Sequence, residues 1–446
     1  MNFRIWAAAA AALMVSLSAD ARPVLMVSID GLRPLDIIEA DKRGLKVPNL
    51  KSFLSDGAYA SGVKNVLPTV TYPDHTTLVT GVWPAVHGIA NNTTFDPEDK
   101  NMGGWYWYSS DIKVPTLWDV VHAKHEVVAS LGWPVSVGNP SIDYNIPEYW
   151  RAANAEDLKL IDALSVPFGI GAVAGKEAGV PVAAAFGEKP QHDVAKAKLA
   201  AAMITLEKPE FFTLHLNSVD GEQHEFGPGS PEAHTAIETV DGAVGALIAA
   251  AQKAEPDVVV AIVSDHGFAA VDKEVNLVRP FVEAGLVKLD ADGKKVVSWQ
   301  VMPWNAGGSS LIVLANPADE AVKAKVKAVL DKLAADPKSG VAKVIDAKGI
   351  AALGGNAKAS FFVDYTLGYY GGDSIVVPMV SKSSLKGTHG YFPTHPEMRA
   401  TFMIKGPGIA RKNLGEIDMR DIAPTLAQIM DVSLPTAMGK PLPVEK

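Results

Sequence analysis

Three apolar runs in this chain lead toward aspartates: Val24–Ile29 into Asp30-Gly31, Phe211–Leu216 toward Asp220-Gly221, and 258–263 into Asp265-His266-Gly267. If these runs are neighbouring strands, their carboxylates meet in the crevice outside the carboxyl ends of the sheet, where open α/β folds bind ligands. Carboxylates gathered in that way repel one another unless cations hold them together. Two histidines stand in the same segments, His266 directly after Asp265 and His224 four residues beyond Asp220. A further one, His389, lies between Thr388 and Gly390, in a glycine-flanked stretch where the backbone can approach an ion closely. Carboxylate and imidazole ligands without sulfur suit a hydrolytic zinc site that keeps open positions. The chain has no cysteine, which excludes thiolate ligands and disulfides. One aspartate at a strand end would ordinarily cap the next turn. Asp-x-x-x-His, Asp-His-Gly and Gly-x-His-Gly together point to a metal site instead. The His122 and His125 pair has chelate-like spacing without a carboxylate beside it and is expected at solvated surface, and His75, His87, His192, His215, His234 and His395 are expected in structural or surface roles.

A hydrolase of this kind needs a nucleophile. The stretch from Pro68 to Leu78 reads as a loop entering a helix that ends near Gly81, with Pro73 in its first turn. A threonine hydroxyl at that entrance would face unpaired backbone N–H groups able to stabilise an attached phosphoryl group, and a nearby cation would lower its pKa. Spacing alone leaves both Thr69 and Thr71 open and allows Thr71 to be no more than a helix cap.

The elements that must position these residues alternate. Strand-length apolar runs are separated by alanine-rich stretches at 194–206 and 237–251 whose apolar positions recur at helical spacing, which implies a mostly parallel sheet covered by helices on both faces. The stretch 318–335 reads as an amphipathic surface helix docked on that sheet, with Val322, Val326, Val329, Leu330 and Leu333 on one stripe. Asp290-Ala291-Asp292-Gly293 resembles part of a calcium loop but lacks its other ligands, and is expected to be a hairpin turn. Residues 1–21 carry a basic residue, an apolar run and Ala19-Asp20-Ala21, the order of a cleaved secretory signal, and the run is too short to span a membrane. Residues 22–446 are then expected to form a single exported domain with no stable membrane insertion. The formal net charge of -9 provides no basic stripe for a polymeric nucleic acid, while a small phosphate ester is compatible with it. The oligomeric state is left open.

Taken in order, Ile29-Asp30-Gly31, Thr71-Tyr72-Pro73-Asp74-His75, Thr80-Gly81, His87-Gly88-Ile89, Asn91-Asn92, Asp220 with His224, Ser264-Asp265-His266-Gly267 and His389-Gly390-Tyr391 resemble the nucleotide pyrophosphatase/phosphodiesterase branch of the alkaline phosphatase superfamily over roughly residues 24–430. The resemblance implies an alkaline-phosphatase-like three-layer α/β sandwich. It implies two zinc ions per chain, one held by Asp220, His224 and His389, the other by Asp30, Asp265 and His266 with the Thr71 hydroxyl. It makes Thr71 the nucleophile of a phosphothreonine intermediate and Asn92 a donor to a non-bridging phosphate oxygen. Tyr72 and Tyr149 match the aromatic pair that sandwiches a nucleobase. Three positions depart from the pattern: Asp74 replaces the asparagine of Pro-Asn-His, Ser218-Val219-Asp220 replaces Glu-Pro-Asp, and Gln223 replaces the glycine before His224. A phosphomonoesterase or phosphonate hydrolase on the same metal core is the alternative enzyme, and a non-catalytic binding protein retaining the fold is the alternative of another class.

Overall fold

A computed structural model describes residues 21–446 apart from 99, 102, 103, 152 and 153. The expected signal segment, except Ala21, lies outside the described residues. The central sheet has eight strands in the order Lys412–Asn413, Ala58–Tyr59, Phe402–Lys405, Val259–Val263, Val24–Ile29, Phe211–Leu216, Val128–Leu131 and Tyr144–Ile146. Only Phe402–Lys405 runs antiparallel to its neighbours. The three apolar runs of the sequence are therefore adjacent parallel strands, with Val24–Ile29 in the middle. They are buried along their whole length, which is why they read as continuous apolar segments rather than alternating ones.

Successive side chains of the middle strand serve opposite layers. Leu25, Val27 and Ile29 pack in one core cluster with Leu199 and Met203 of helix Pro190–Glu207 and Val240 and Val244 of helix Pro231–Ala254. Val24 and Met26 pack on the other side with Leu78, Trp118 and Leu426, from helices Thr71–Thr80, Leu117–His122 and Ile422–Ile429. Helices on both faces of a mostly parallel sheet are the arrangement expected from the alternation.

One expectation is corrected here. The amphipathic helix, observed as Glu320–Ala334, does not dock on the central sheet. Its buried Val326 and Leu330 join a separate core cluster with Phe361, Val363 and Ile312, from a four-stranded antiparallel sheet formed by Val301–Ala306, Ser309–Leu314, Phe361–Tyr365 and Val341–Asp346. Helical periodicity identifies which stripe is buried but not which surface buries it. Asp290 stands in the turn between the antiparallel strands Val287–Leu289 and Val296–Trp299, where its Oδ1 accepts from the N–H groups of Lys294 and Lys295.

Candidate active site

Asp30 follows its strand directly and Asp265 stands two residues beyond its own, so both project at the carboxyl edge of the sheet. Asp220 does not sit at a strand-to-loop junction as expected. It lies in the first turn of helix Ser218–Phe226, which places His224 one turn along the same helix with its Nε2 3.3 Å from Asp220 Oδ2. The ligand atoms of Asp220, His224 and His389 lie within 4.8 Å of one another, and so do those of Asp30, Asp220 and His266. Asp265 joins the second group through its Oδ2, 3.2 Å from His266 Nε2.

Backbone carbonyls orient all three imidazoles. Nδ1 of His224 faces Gly387 O at 2.9 Å, that of His266 faces Gly267 O at 3.2 Å, and that of His389 faces Thr69 O at 3.1 Å. An Nδ1–H donated to a carbonyl leaves the Nε2 lone pair for the cluster. Burial, the largest cause in each case, holds the three rings below the ordinary histidine range, so they are neutral, as ligands must be. Burial followed by repulsion from Asp265 pushes the carboxyls of Asp30 and Asp220 well up. Asp30 Oδ1, Asp220 Oδ1 and Asp265 Oδ2 are buried without a hydrogen-bond donor. Buried acceptors with no donors, opposite imidazole lone pairs, are a donor set for divalent cations.

Thr71 is the first residue of helix Thr71–Thr80, and its Oγ1 lies 3.4 Å from His266 Nε2. Thr69 has a different duty: its hydroxyl is buried and donates to Tyr391 O at 2.7 Å. Unpaired N–H groups around Thr71 were expected to greet a phosphoryl group, but they are largely used up. Tyr72 N–H donates to Asn92 Oδ1 at 2.8 Å, Pro73 has no N–H, and Asp74 N–H donates to Val70 O. The same bond has a useful effect on Asn92. With its oxygen fixed by Tyr72, the amide nitrogen is left to face the cavity that Asn92 lines together with Thr71.

That cavity measures about 410 Å³ and is also lined by Trp105, Glu188, Asp220, His224, Glu225 and His389. Among the described residues no lysine or arginine lines it. Arg33, close in sequence to Asp30, is committed elsewhere through a two-pronged pair with Asp36 at 2.9 and 2.8 Å.

The expected place of Tyr72 in an aromatic sandwich is corrected. Tyr72 is completely buried, its hydroxyl donates to Glu148 Oε1 at 2.7 Å, and its ring meets the edge of Trp105. Tyr149 packs on Trp107 and lines a neighbouring cavity rather than the one at Thr71. The aromatic wall beside Thr71 is Trp105. The helix turn that presents the Thr71 hydroxyl outward sends the next side chain inward, and sequence adjacency does not reveal this.

Two residues without an assigned role support Asp30. His215, in the strand next to it, approaches Asp30 Oδ2 through Nε2 at 3.0 Å and Glu148 Oε2 through Nδ1 at 3.1 Å. Asp30 thus has one oxygen tied by His215 and the other, Oδ1, directed into the cluster. The signal in the sequence was a histidine inside an otherwise apolar strand. His122, expected without a carboxylate partner, has Asp143 at 3.3 Å.

His87 gives the site a structural foundation and a test. It is fully buried, accepts from Ile89 N–H through Nδ1 and contacts Thr77 Oγ1 at 3.2 Å on the helix that begins at Thr71. Burial lowers its pKa to about 3. Between pH 6.5 and 3 the unfolded chain therefore binds a proton that the folded chain refuses, so this contribution is whole above pH 6.5 and is lost as pH falls. In chelator-treated protein, the stability of wild type relative to His87→Gln is expected to drop by about 2 kcal/mol between pH 7.5 and 5. Urea melts at the two pH values measure it, and a pH-independent difference would refute the buried neutral ring.

The family model for type I phosphodiesterase / nucleotide pyrophosphatase matches residues 24–391. The chain belongs to that family. Over 254 residues it is 28% identical to ectonucleotide pyrophosphatase/phosphodiesterase family member 1 of Mus musculus, covering 55% of this chain and 24% of that protein. Over 234 residues it is 25% identical to the venom phosphodiesterase of Macrovipera lebetinus, covering 51% and 23% respectively. The matched part is about a quarter of the length of these type I phosphodiesterase relatives. The fold is that of murine ectonucleotide pyrophosphatase/phosphodiesterase 5, solved as an inactive threonine-to-alanine variant in complex with AMP: the TM-score is 0.64 at 20% identity, with 95% of this chain and 97% of that one covered. The alkaline-phosphatase-like sandwich expected from the motifs is thus the fold observed.

Proposed function

We propose that this chain is an exported phosphodiesterase that uses two zinc ions and Thr71 to hydrolyse nucleotide diesters or pyrophosphates. The observation that carries the proposal is one cavity lined by Thr71, Asn92, Asp220, His224 and His389, with the ligand atoms of Asp30 and His266 grouped around that same Asp220. Export rests on the segment 1–21 of the sequence and is consistent with relatives named as ectoenzymes or venom enzymes. Among the described residues, no helix is long and apolar enough to cross a membrane.

Divalent ions bound by Asp220, His224 and His389, and by Asp30, Asp265 and His266, would supply Lewis-acid polarisation of the phosphate oxygens. The Thr71 oxygen attacks phosphorus while the bond from phosphorus to the leaving alcohol or phosphate oxygen breaks, and the hydroxyl proton ends on the leaving group or solvent. Asn92 donates through its amide nitrogen to a non-bridging oxygen as negative charge develops there. Water then attacks the phosphothreonine and frees Thr71. The relative whose threonine-to-alanine variant is inactive and holds AMP supports both the residue type and a nucleotide ligand.

Diesters are favoured over monoesters on electrostatic grounds. A monoester brings an additional anionic oxygen, which calls for an extra Arg or Lys. Among the described residues none lines the cavity, whose wall adds Glu188 and Glu225, the latter paired with Lys189 at 2.6 Å. The expected result is a higher kcat/KM for a nucleotide aryl diester than for the matching aryl monoester or phosphonate on zinc-loaded mature protein. A monoester or phosphonate that wins would assign the alternative activity on the same residues, and binding without turnover of any of these substrates would favour the non-catalytic reading.

A further inference from the structure

Beside the cavity at Thr71 lies a second one of about 660 Å³, and Glu188 lines both. The two are flanked by a pair of edge-to-face indoles: Trp105 lines the first, Trp150 lines the second, and their ring centroids are 5.2 Å apart. Gly132, at the end of strand Val128–Leu131, and Asn217, at the end of Phe211–Leu216, line the second cavity, so it belongs to the same carboxyl edge as the ligands. Tyr149, Trp150 and Phe186 give it flat apolar surface.

Its wall also holds Lys196, a lysine 3% exposed. Fully buried lysines are rare without a paired anion. The nearest carboxylate oxygen, Asp193 Oδ1, is 3.9 Å away, and both Asp193 oxygens already accept from the N–H groups of Asn217 and Ser218. Among the described residues the short partner of the ammonium is Asn217 Oδ1 at 3.0 Å. Gly132 leaves room above it, since a side chain there would begin 3.6 Å from Nζ. An ammonium with three protons and one close acceptor is equipped to donate to a ligand. The wall also carries Lys189, paired with Glu225 at 2.6 Å and Glu222 at 3.2 Å, and the carboxylates of Glu148, Asp157 and Glu188, of which Glu148 is already bonded to Tyr72 and His215.

With the base of a nucleotide substrate in this compartment, where the resemblance already places a base against Tyr149, we infer that Lys196 selects bases with a lactam edge, a carbonyl beside a ring N–H, as in uracil, thymine and guanine. Lys196 donates to the carbonyl, a wall carboxylate accepts from the ring N–H, and the rings of Tyr149, Trp150 and Phe186 cover the faces. Adenine presents an amino group where the carbonyl is wanted, and turns a donor toward the ammonium. The inference rests on the nucleotide reading of the active site, which it makes specific.

Binding to the zinc-loaded Thr71→Ala protein separates it from turnover. Thymidine monophosphate is expected to bind about tenfold more tightly than adenosine monophosphate by calorimetry, the size of a single charge-assisted hydrogen bond. Lys196→Met is expected to remove that ratio and Lys196→Arg to retain part of it. Equal affinities in the protein that keeps Lys196 overturn the inference without any variant at that position, and so does a ratio that survives in a folded Lys196→Met protein. Failure of the active protein to cleave any diester would defeat the phosphodiesterase reading alone, because the thymidine preference is read from binding.

Discussion

Thr71→Ala is expected to lower kcat/KM for a nucleotide diester by on the order of a thousandfold or more, the scale on which loss of a covalent nucleophile is felt. Thr71→Ser, which keeps a hydroxyl at the helix entrance, is expected to retain a measurable part. The reason is geometric. The Thr71 oxygen stands 3.4 Å from His266 Nε2 in the cavity shared with Asn92 and Asp220, whereas the alternative hydroxyl, Thr69, is spent on the Tyr391 carbonyl. Thr71 is 8% exposed and its hydroxyl faces the cavity rather than the core, so its truncation should leave the melting temperature nearly unchanged. An alanine variant within a few-fold of wild type would move the nucleophile to water.

Asp220→Asn is expected to have an effect of similar size through a different route. Asp220 is assigned to the ion it shares with His224 and His389, and its ligand atoms also lie within 4.8 Å of those of Asp30 and His266, so its substitution should empty the first site and disturb the second, whereas Asp30→Asn or His224→Gln should weaken one. Elemental analysis is expected to give about two zinc ions per wild-type chain and clearly fewer for Asp220→Asn. A chelator should abolish turnover and zinc restore it. A stoichiometry near one with full activity would defeat the two-ion assignment, and an Asp220→Asn protein with its full complement would remove that residue from the ligands.

Much of this was legible because the chemistry lies at the ends of the most strongly patterned elements. Three buried parallel strands are continuous apolar runs, and a polar residue that interrupts such a run or follows it stands out. Asp30, Asp265 and His266 were found that way. Asp220 stands out in the same way and His224 by its spacing from it, although the helix that carries them was not recognised, because a stretch rich in Ser, Asp and Gly reads as a loop until packing makes it helical. His215 interrupts a strand just as visibly, yet its role depends on Glu148, brought in from a segment far away in sequence. The side of a turn is harder still. Tyr72 follows Thr71 directly, but about a hundred degrees of helix separate their side chains, and only the packing of Trp105 and Glu148 shows which of the two faces substrate. Lys196 is hidden for a similar reason: in sequence it is one lysine of an alanine-rich helix, with Lys198 two positions on, and burial distinguishes the one at the cavity from the surface one.

The most direct measurement is a single turnover of a thymidine aryl diester on zinc-loaded protein, quenched in acid and mapped by peptide mass spectrometry. The expected result is a thymidylyl group on the peptide that carries Thr71, absent from Thr71→Ala. Hydrolysis that runs to completion with no adduct at any quench time, while Thr71→Ala turns over at a comparable rate, would contradict a covalent threonine mechanism.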